Sequence, residues 1–221
     1  MKIATWNIAR HRKGSEKMNA ILKFLLEQDA DILVLTETIK SIDLGTQYKS
    51  FYTTRPSESY FRVDERRVGI YSKYDYYEEI KTFKSDISIC INFDTPLGPI
   101  AVYGTIIGTE GNRDEIFSSD LAMQIQDFER ISKENNLCIC GDLNMSFSDN
   151  YYFTEEGRRA LTKSFAKNNL INLTAAIPDN VDHIIISKSV ENNCKVRTDK
   201  WNVSKTLSDH LGISVTMIPF E

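Results

Sequence analysis

Short apolar runs recur along the chain, each too brief for a helix and each bounded by polar residues: KIATWNI at 2–8, DILVLTE at 31–37, LCICGDLN at 137–144 and VDHIIIS at 181–187. Uninterrupted runs of this length, rich in β-branched residues, read as strands buried on both faces. Strands of that kind need a packed layer above and below them, so the chain must build sheets and then cover them.

Other segments fill in the pattern. From Tyr48 to Phe93 the sequence is β-like: YKSFYTT, YFRVD, RRVGIYS, YYEEIKTF and DISICINF, with Ile87, Ile89, Ile91 and Phe93 alternating. TPLG at 95–98 turns the chain into PIAVYGTII, which predicts a hairpin. CKVRT and LGISVTMI are expected to be the last strands. Helical spacing follows Ser15, with Met18, Ile21, Leu22, Leu25 and Leu26 on one face. It returns over 113–134 with Phe117, Leu121, Ile125 and Phe128, and again around 154–168. Many strands interrupted by a few helices, without regular βα alternation, predict an α/β fold of two β-sheets packed together with helices outside.

With 221 residues and 41% hydrophobic content, the chain is expected to form a single domain over 1–221. A net charge of −4 argues against a broad basic surface for gripping nucleic acid, while leaving room for a locally basic groove. The cysteines Cys90, Cys138, Cys140 and Cys194 form no metal-ligand spacing, and with three histidines a zinc site is not expected. No run approaches the roughly 20 apolar residues of a membrane span. MKIATWNIAR enters a strand pattern directly, so the reading is a soluble, cytoplasmic protein with reduced thiols, no membrane span and no obligate protein partner.

Chemistry concentrates at the strand ends. Asn7, Glu37, Asp142 with Asn144, and Asp209 with His210 each border an apolar run, and Asp182 opens another. Such oxygen-rich groups suit a hard cation like magnesium, which keeps several waters and needs few protein carboxylates beside a phosphate. Taken singly, each reads first as a turn residue or a surface charge. His183 follows Asp182 on a strand and so faces the other way, which makes it structural. His11, among Arg10, Arg12 and Lys13, reads as a loop residue.

Taken in order, WNI, TE, GDLN, VDHI and SDH resemble the endonuclease/exonuclease/phosphatase superfamily over almost the whole chain. The resemblance implies a four-layer α/β sandwich, two packed mixed β-sheets flanked by helices. It implies a Mg2+-dependent hydrolase, with Mn2+ as the alternative ion, cleaving a phosphoester, a phosphodiester before a phosphomonoester, by in-line attack of water. Glu37, Asn7 and Asp209 are then the metal residues. Asp142 orients or deprotonates the water, Asn144 holds a phosphate oxygen, and Asp182 fixes the imidazole of His210 beside the scissile phosphate. Many members carry a His or Tyr on the strand matching IAVYGTIIG; here Tyr103 is the substitute, in the site or in the core. Where abasic-site endonucleases often have an acid, this chain has Ala9. Asn112 and Arg113 either line the mouth or belong to the next helix. Basic residues at 10–13, 62–67 and 195–205, with Trp201 for stacking, form either a nucleic-acid path or a solvated face. The alternatives are a non-catalytic binding module on this fold, or a phosphodiesterase or phosphatase acting on small molecules or lipids.

Overall fold

The computed structural model describes residues 1–220. In chain order the elements are β1 (Lys2–Asn7), α1 (Glu16–Gln28), β2 (Ile32–Ile39), β3 (Lys49–Tyr52), β4 (Glu65–Ser72), β5 (Tyr76–Ile80), β6 (Ser88–Thr95), β7 (Gly98–Ile106), α2 (Glu115–Ile131), β8 (Leu137–Asp142), α3 (Glu155–Lys167), β9 (Leu170–Asn172), β10 (Asp182–Ser187), α4 (Lys188–Glu191), β11 (Cys194–Trp201) and β12 (Gly212–Pro219). They make two six-stranded sheets, ordered β11-β12-β1-β2-β4-β3 and β5-β6-β7-β8-β10-β9. Both are mixed: β1 pairs parallel with β2 across the crossover helix α1, and β7 pairs parallel with β8 across α2. The expected four-layer sandwich is the observed one.

Each layer follows from strand alternation. In β8, Cys138 and Cys140 point into the core between the sheets, with Val34, Ile70, Ile91, Val102 and Ile184. Leu137 and Ile139 point the other way, beneath α2 and α3, with Phe117, Phe128 and Leu161. On the outer face of the first sheet, Leu33, Leu35 and Tyr71 meet Met18, Ile21 and Leu25 of α1. All four cysteines are buried free thiols.

Helices α1, α2 and α3 begin where a capping side chain satisfies an early amide. Ser15 accepts from Met18 N, Asp114 from Phe117 N and Thr154 from Gly157 N, each contributing about 1 kcal/mol. Asp114 therefore starts α2 after the expected position 113, and Arg113 lies exposed before the cap. The segment YFRVD is no strand: it is an irregular turn whose Phe61 is buried. Two short elements, β9 and α4, had no periodic signal.

Gly141 lets β7 and β8 close up. Its φ is +139°, and a Cβ there would stand 2.0 Å from Thr105 O on the neighbouring strand. Trp201 is buried and packs edge-on against Trp6 at 5.9 Å, so it is a core residue and not a stacking platform. Among the described residues no helix is long and apolar enough to cross a membrane.

Candidate active site

At one rim of the sandwich the two sheets exchange hydrogen bonds between polar side chains. Asp142 ends β8 and Asp182 opens β10, and the two are directly opposite in the antiparallel register, so both carboxylates project on one face. The other sheet supplies their partners. Asn7, at the end of β1, donates through Nδ2 to Asp142 Oδ2 at 3.2 Å. His210, just before β12, meets Asp182 Oδ2 through Nδ1 at 2.6 Å.

The backbone around His210 is fixed from three sides. Trp6 Nε1 and Asn202 Nδ2 both donate to His210 O, at 3.1 and 2.7 Å. Ser208 donates its hydroxyl to Asn7 O at 2.6 Å and accepts from His210 N at 3.2 Å. Ser208 and Asn202 are positioning residues that the sequence reading missed; the only signal was the serine preceding Asp209.

Charge within this cluster is strongly interdependent. Burial pushes the Asp142 carboxyl up to about 7, with the Asp182 charge adding to the rise and His210 opposing it. Burial alone would strip the proton from His210, but Asp182 and then Asp142 override it and lift the imidazole to about 10. His210 is therefore an imidazolium at neutral pH, hydrogen-bonded to Asp182. Asp182 Oδ1 is buried without a hydrogen-bond partner. Ligand atoms of Asp142, Asp182 and His210 lie within 4.8 Å of one another. Within the trio His210 already spends Nδ1 on Asp182.

Glu37 lies two residues inside the end of β2, the strand beside β1. Its φ is +47°, uncommon for a residue with a side chain, and the β2–β4 ladder is interrupted there between Thr36 and Thr38. Its Oε2 accepts from Arg10 Nε at 3.1 Å, while Arg10 N bonds Glu37 O at 2.7 Å. Ala9 and Arg10 also have positive φ, so the 9–10 turn is wound tightly against Glu37. Asp209 is 85% exposed, with Oδ1 4.0 Å from His210 Nε2. Glu37, Asn7 and Asp209 offer only oxygen donors, the chemistry a hard divalent cation takes. A cleft of about 240 Å3 opens over Asp182, Asp209 and His210, walled by Tyr151, Tyr152 and Lys205.

Two expectations need correcting. Tyr103 is outside the site: its hydroxyl donates to Asp127 Oδ2 at 2.9 Å and its ring meets Phe128 edge-on, in the layer beneath α2. Alternation instead sends Ile106, at the end of β7, to the cleft beside Glu37, and Ile106 has no proton to give. Asn144 is close to Asp142, its N–H donating to Asp142 Oδ1 at 2.9 Å, but its amide is not free to hold a phosphate oxygen. Both amide protons go to backbone carbonyls, Ile107 O at 2.9 Å and Gly108 O at 3.1 Å. Asn144 therefore pins the β7–α2 loop to the site. Asn112 joins this arrangement by donating to Asn144 O at 3.0 Å.

The remaining histidines are structural. His183 is buried with Nε2 2.9 Å from Met145 O and Nδ1 facing the Thr174 hydroxyl and the Asn172 and Asn180 amides. Burial lowers its pKa to about 4, so it is neutral. His11 meets Leu207 O at 2.9 Å across the loop.

Asp142, Asp182 and His210 thus gather at the rim where Asn7 also ends its strand, a cluster of polar groups on otherwise apolar sheets. The chain belongs to the Endonuclease/Exonuclease/phosphatase family, whose profile matches residues 4–210. It is by that membership a phosphoester hydrolase, in a family dependent on divalent metal. No curated protein matches it in sequence. Among solved structures it is similar to the endonuclease domain of TRAS1, a telomere-specific non-LTR retrotransposon, with a TM-score of 0.72 at 16% identity, covering 100% of this chain and 99% of that one. An AP endonuclease from Archaeoglobus fulgidus gives 0.71 at 17% identity, over 98% and 99%. The 3′ phosphatase NExo from Neisseria, bound to product DNA hairpin, gives 0.72 at 14%, over 99% of each chain.

Proposed function

We propose that this chain is a Mg2+-dependent phosphodiesterase, of nuclease type, that delivers water in line to a phosphodiester. The observation that carries the reading is a pair of bonds between the sheets at one rim: Asn7 holds Asp142, which burial raises toward neutrality, and Asp182 holds His210, which stays a cation. A carboxylate and an imidazolium held side by side in this way can serve as base and electrostatic partner. Asp142 orients the water and takes its proton. His210 faces the phosphate as a charged N–H donor through Nε2, and Asp182 keeps Nδ1 protonated and the ring oriented. Asn7 holds Asp142 in place. Glu37, Asn7 and Asp209 would hold the ion; when bound, it supplies Lewis-acid neutralisation of the phosphate and leaving oxygens. With Ile106 at the end of β7, that strand donates no proton to the leaving group. The names of the similar structures, two endonucleases and a 3′ phosphatase, support DNA as the first substrate class to try.

The test is product release from supercoiled DNA, abasic-site duplex, RNA, inositol phosphates and a choline phospholipid, with Mg2+ and with chelator. His210→Ala and Glu37→Gln serve as comparisons. Metal-dependent release from a nucleic acid, reduced about a hundredfold or more in His210→Ala, is the expected result. Release only from an inositol phosphate or phospholipid, or release indifferent to chelator, would overturn it.

A further inference from the structure

We infer that Arg10, backed by Phe61 and Arg67, forms an anion subsite beside Glu37 that takes a second phosphoryl group of the substrate. The inference rests on the phosphodiesterase reading and names what the same site recognises. Arg10 spends only Nε on the protein, against Glu37 Oε2; its Nη1 and Nη2 have no hydrogen-bond partner among the described residues. The guanidinium is nevertheless held firmly. Its carbon lies 4.8 Å from the Phe61 ring, its carbonyl accepts from Arg62 Nη2 at 2.6 Å, and its N–H is tied to Glu37 O.

Arg67 stacks on the same ring at 4.9 Å and is 7% exposed. Its Nη2 pairs with Glu58, but its Nε is buried with no hydrogen-bond partner, the nearest carboxylate oxygen being Asp86 Oδ2 at 3.9 Å. A buried N–H left unpaired is costly unless a ligand atom completes it. Between these groups lies a cavity of about 40 Å3 lined by Arg10, Glu37, Arg67, Tyr60, Phe61, Ile106 and Thr109. That is room for phosphoryl oxygens and not for a ring. Glu58 and Asp86 accompany Arg67, so once Glu37 serves a divalent ion the surplus positive charge resides on Arg10. A preorganised planar fork with both ends free matches a phosphate bidentately.

The second phosphate could belong to a nucleic-acid strand or to a bisphosphorylated small molecule, so the experiment uses matched pairs. Binding of thymidine 5′-phosphate against thymidine 3′,5′-bisphosphate, and of inositol 1-phosphate against inositol 1,4-bisphosphate, is measured by calorimetry with Mg2+. The proteins are the native chain, Arg10→Ala, Arg10→Lys and Glu37→Gln. In the native chain one bisphosphate binds tighter than its monophosphate, on the order of tenfold to a hundredfold. In Arg10→Ala that ratio falls to near one while the monophosphate is little changed, and Arg10→Lys recovers only part of it. The pair that shows the gain names the source. An unchanged ratio in Arg10→Ala, an equal loss for both members of a pair, or no preference in the native chain overturns the subsite. Monophosphate binding indifferent to Mg2+ and to Glu37→Gln would refute the metal reading separately, with the bisphosphate ratio still judging Arg10.

Discussion

Replacing Asp182 by Asn should transform the titration of His210 while leaving its position intact, because an amide oxygen can still accept from Nδ1–H. In the native site the imidazole keeps its proton to about pH 10, against 6.5 for an unperturbed ring. That gap corresponds to roughly 5 kcal/mol of preference for the charged form. Burial works against the proton, and among the groups that hold it Asp182 leads, followed by Asp142 and then Asp209. An opposite charge at contact distance is worth about 1–3 pKa units, and a buried pair at 2.6 Å belongs at the upper end. The His210 pKa should therefore fall to about 7 in Asp182→Asn. Ring-resonance NMR titration reads this directly, and the alkaline limb of the pH–rate profile should move down with it. The linkage sign also follows. A raised folded pKa gives stability that is fully present below 6.5 and is lost as pH rises through about 10, so the stability gap between native and variant should shrink at the alkaline end. His210 titrating above 9 in a folded Asp182→Asn protein would refute the argument that this carboxylate holds the proton.

Tyr103→Phe should lower stability by about 1–2 kcal/mol, by leaving Asp127 one donor short, with kcat/KM unchanged; a fall in turnover at equal Tm would return Tyr103 to the site. Gly141→Ala should prevent folding or destabilise by more than about 3 kcal/mol, since the added methyl meets the Thr105 carbonyl at 2.0 Å; denaturant melts within about 1 kcal/mol of native would count against this. His183 is neutral when folded, its pKa lowered from 6.5 to about 4. Its contribution is present above 6.5 and lost as pH falls through about 4. His183→Asn should flatten the pH dependence of stability across that window, as seen in urea midpoints from pH 7 to 3.5; an unaltered slope would show that His183 does not drive it.

Five polar positions were legible because each borders a strand whose apolar run is plain: Asn7, Glu37, Asp142, Asp182 and His210. The sandwich was legible for the same reason, since β8 and β10 are apolar on both faces and demand two covered sheets. That same continuity hid the orientation of Tyr103. In IAVYGTII both faces are buried, so the period-two signal vanishes and nothing in the run says which residues look toward the cleft. YFRVD alternates as a strand would, but Phe61 is packed against two guanidinium groups, Arg67 from the next strand and Arg10 from a distant segment, which no local pattern shows. The ion pair of Arg10 with Glu37 was hidden too, because it depends on consecutive positive φ at Ala9 and Arg10, where no glycine marks the turn. Ser208 and Asn202 act through backbone amides and carbonyls, which leave little trace in side-chain chemistry.

The bonds of Asn7 to Asp142 and of His210 to Asp182 both run from one sheet to the other. The apolar filling between the sheets is thus a spacer that sets the working gap of the reactive groups. Residues such as Cys140, Ile184 and Val102 act as shims: thickening or thinning them shifts one bank of polar atoms relative to the other, with no change at the mouth. A misplacement of about 1 Å can slow a reaction a hundredfold, so variation deep in this interior should be filtered by catalytic tolerance before it is filtered by folding. Rim segments not tied to these groups, such as the exposed stretch around Tyr151, carry no such constraint.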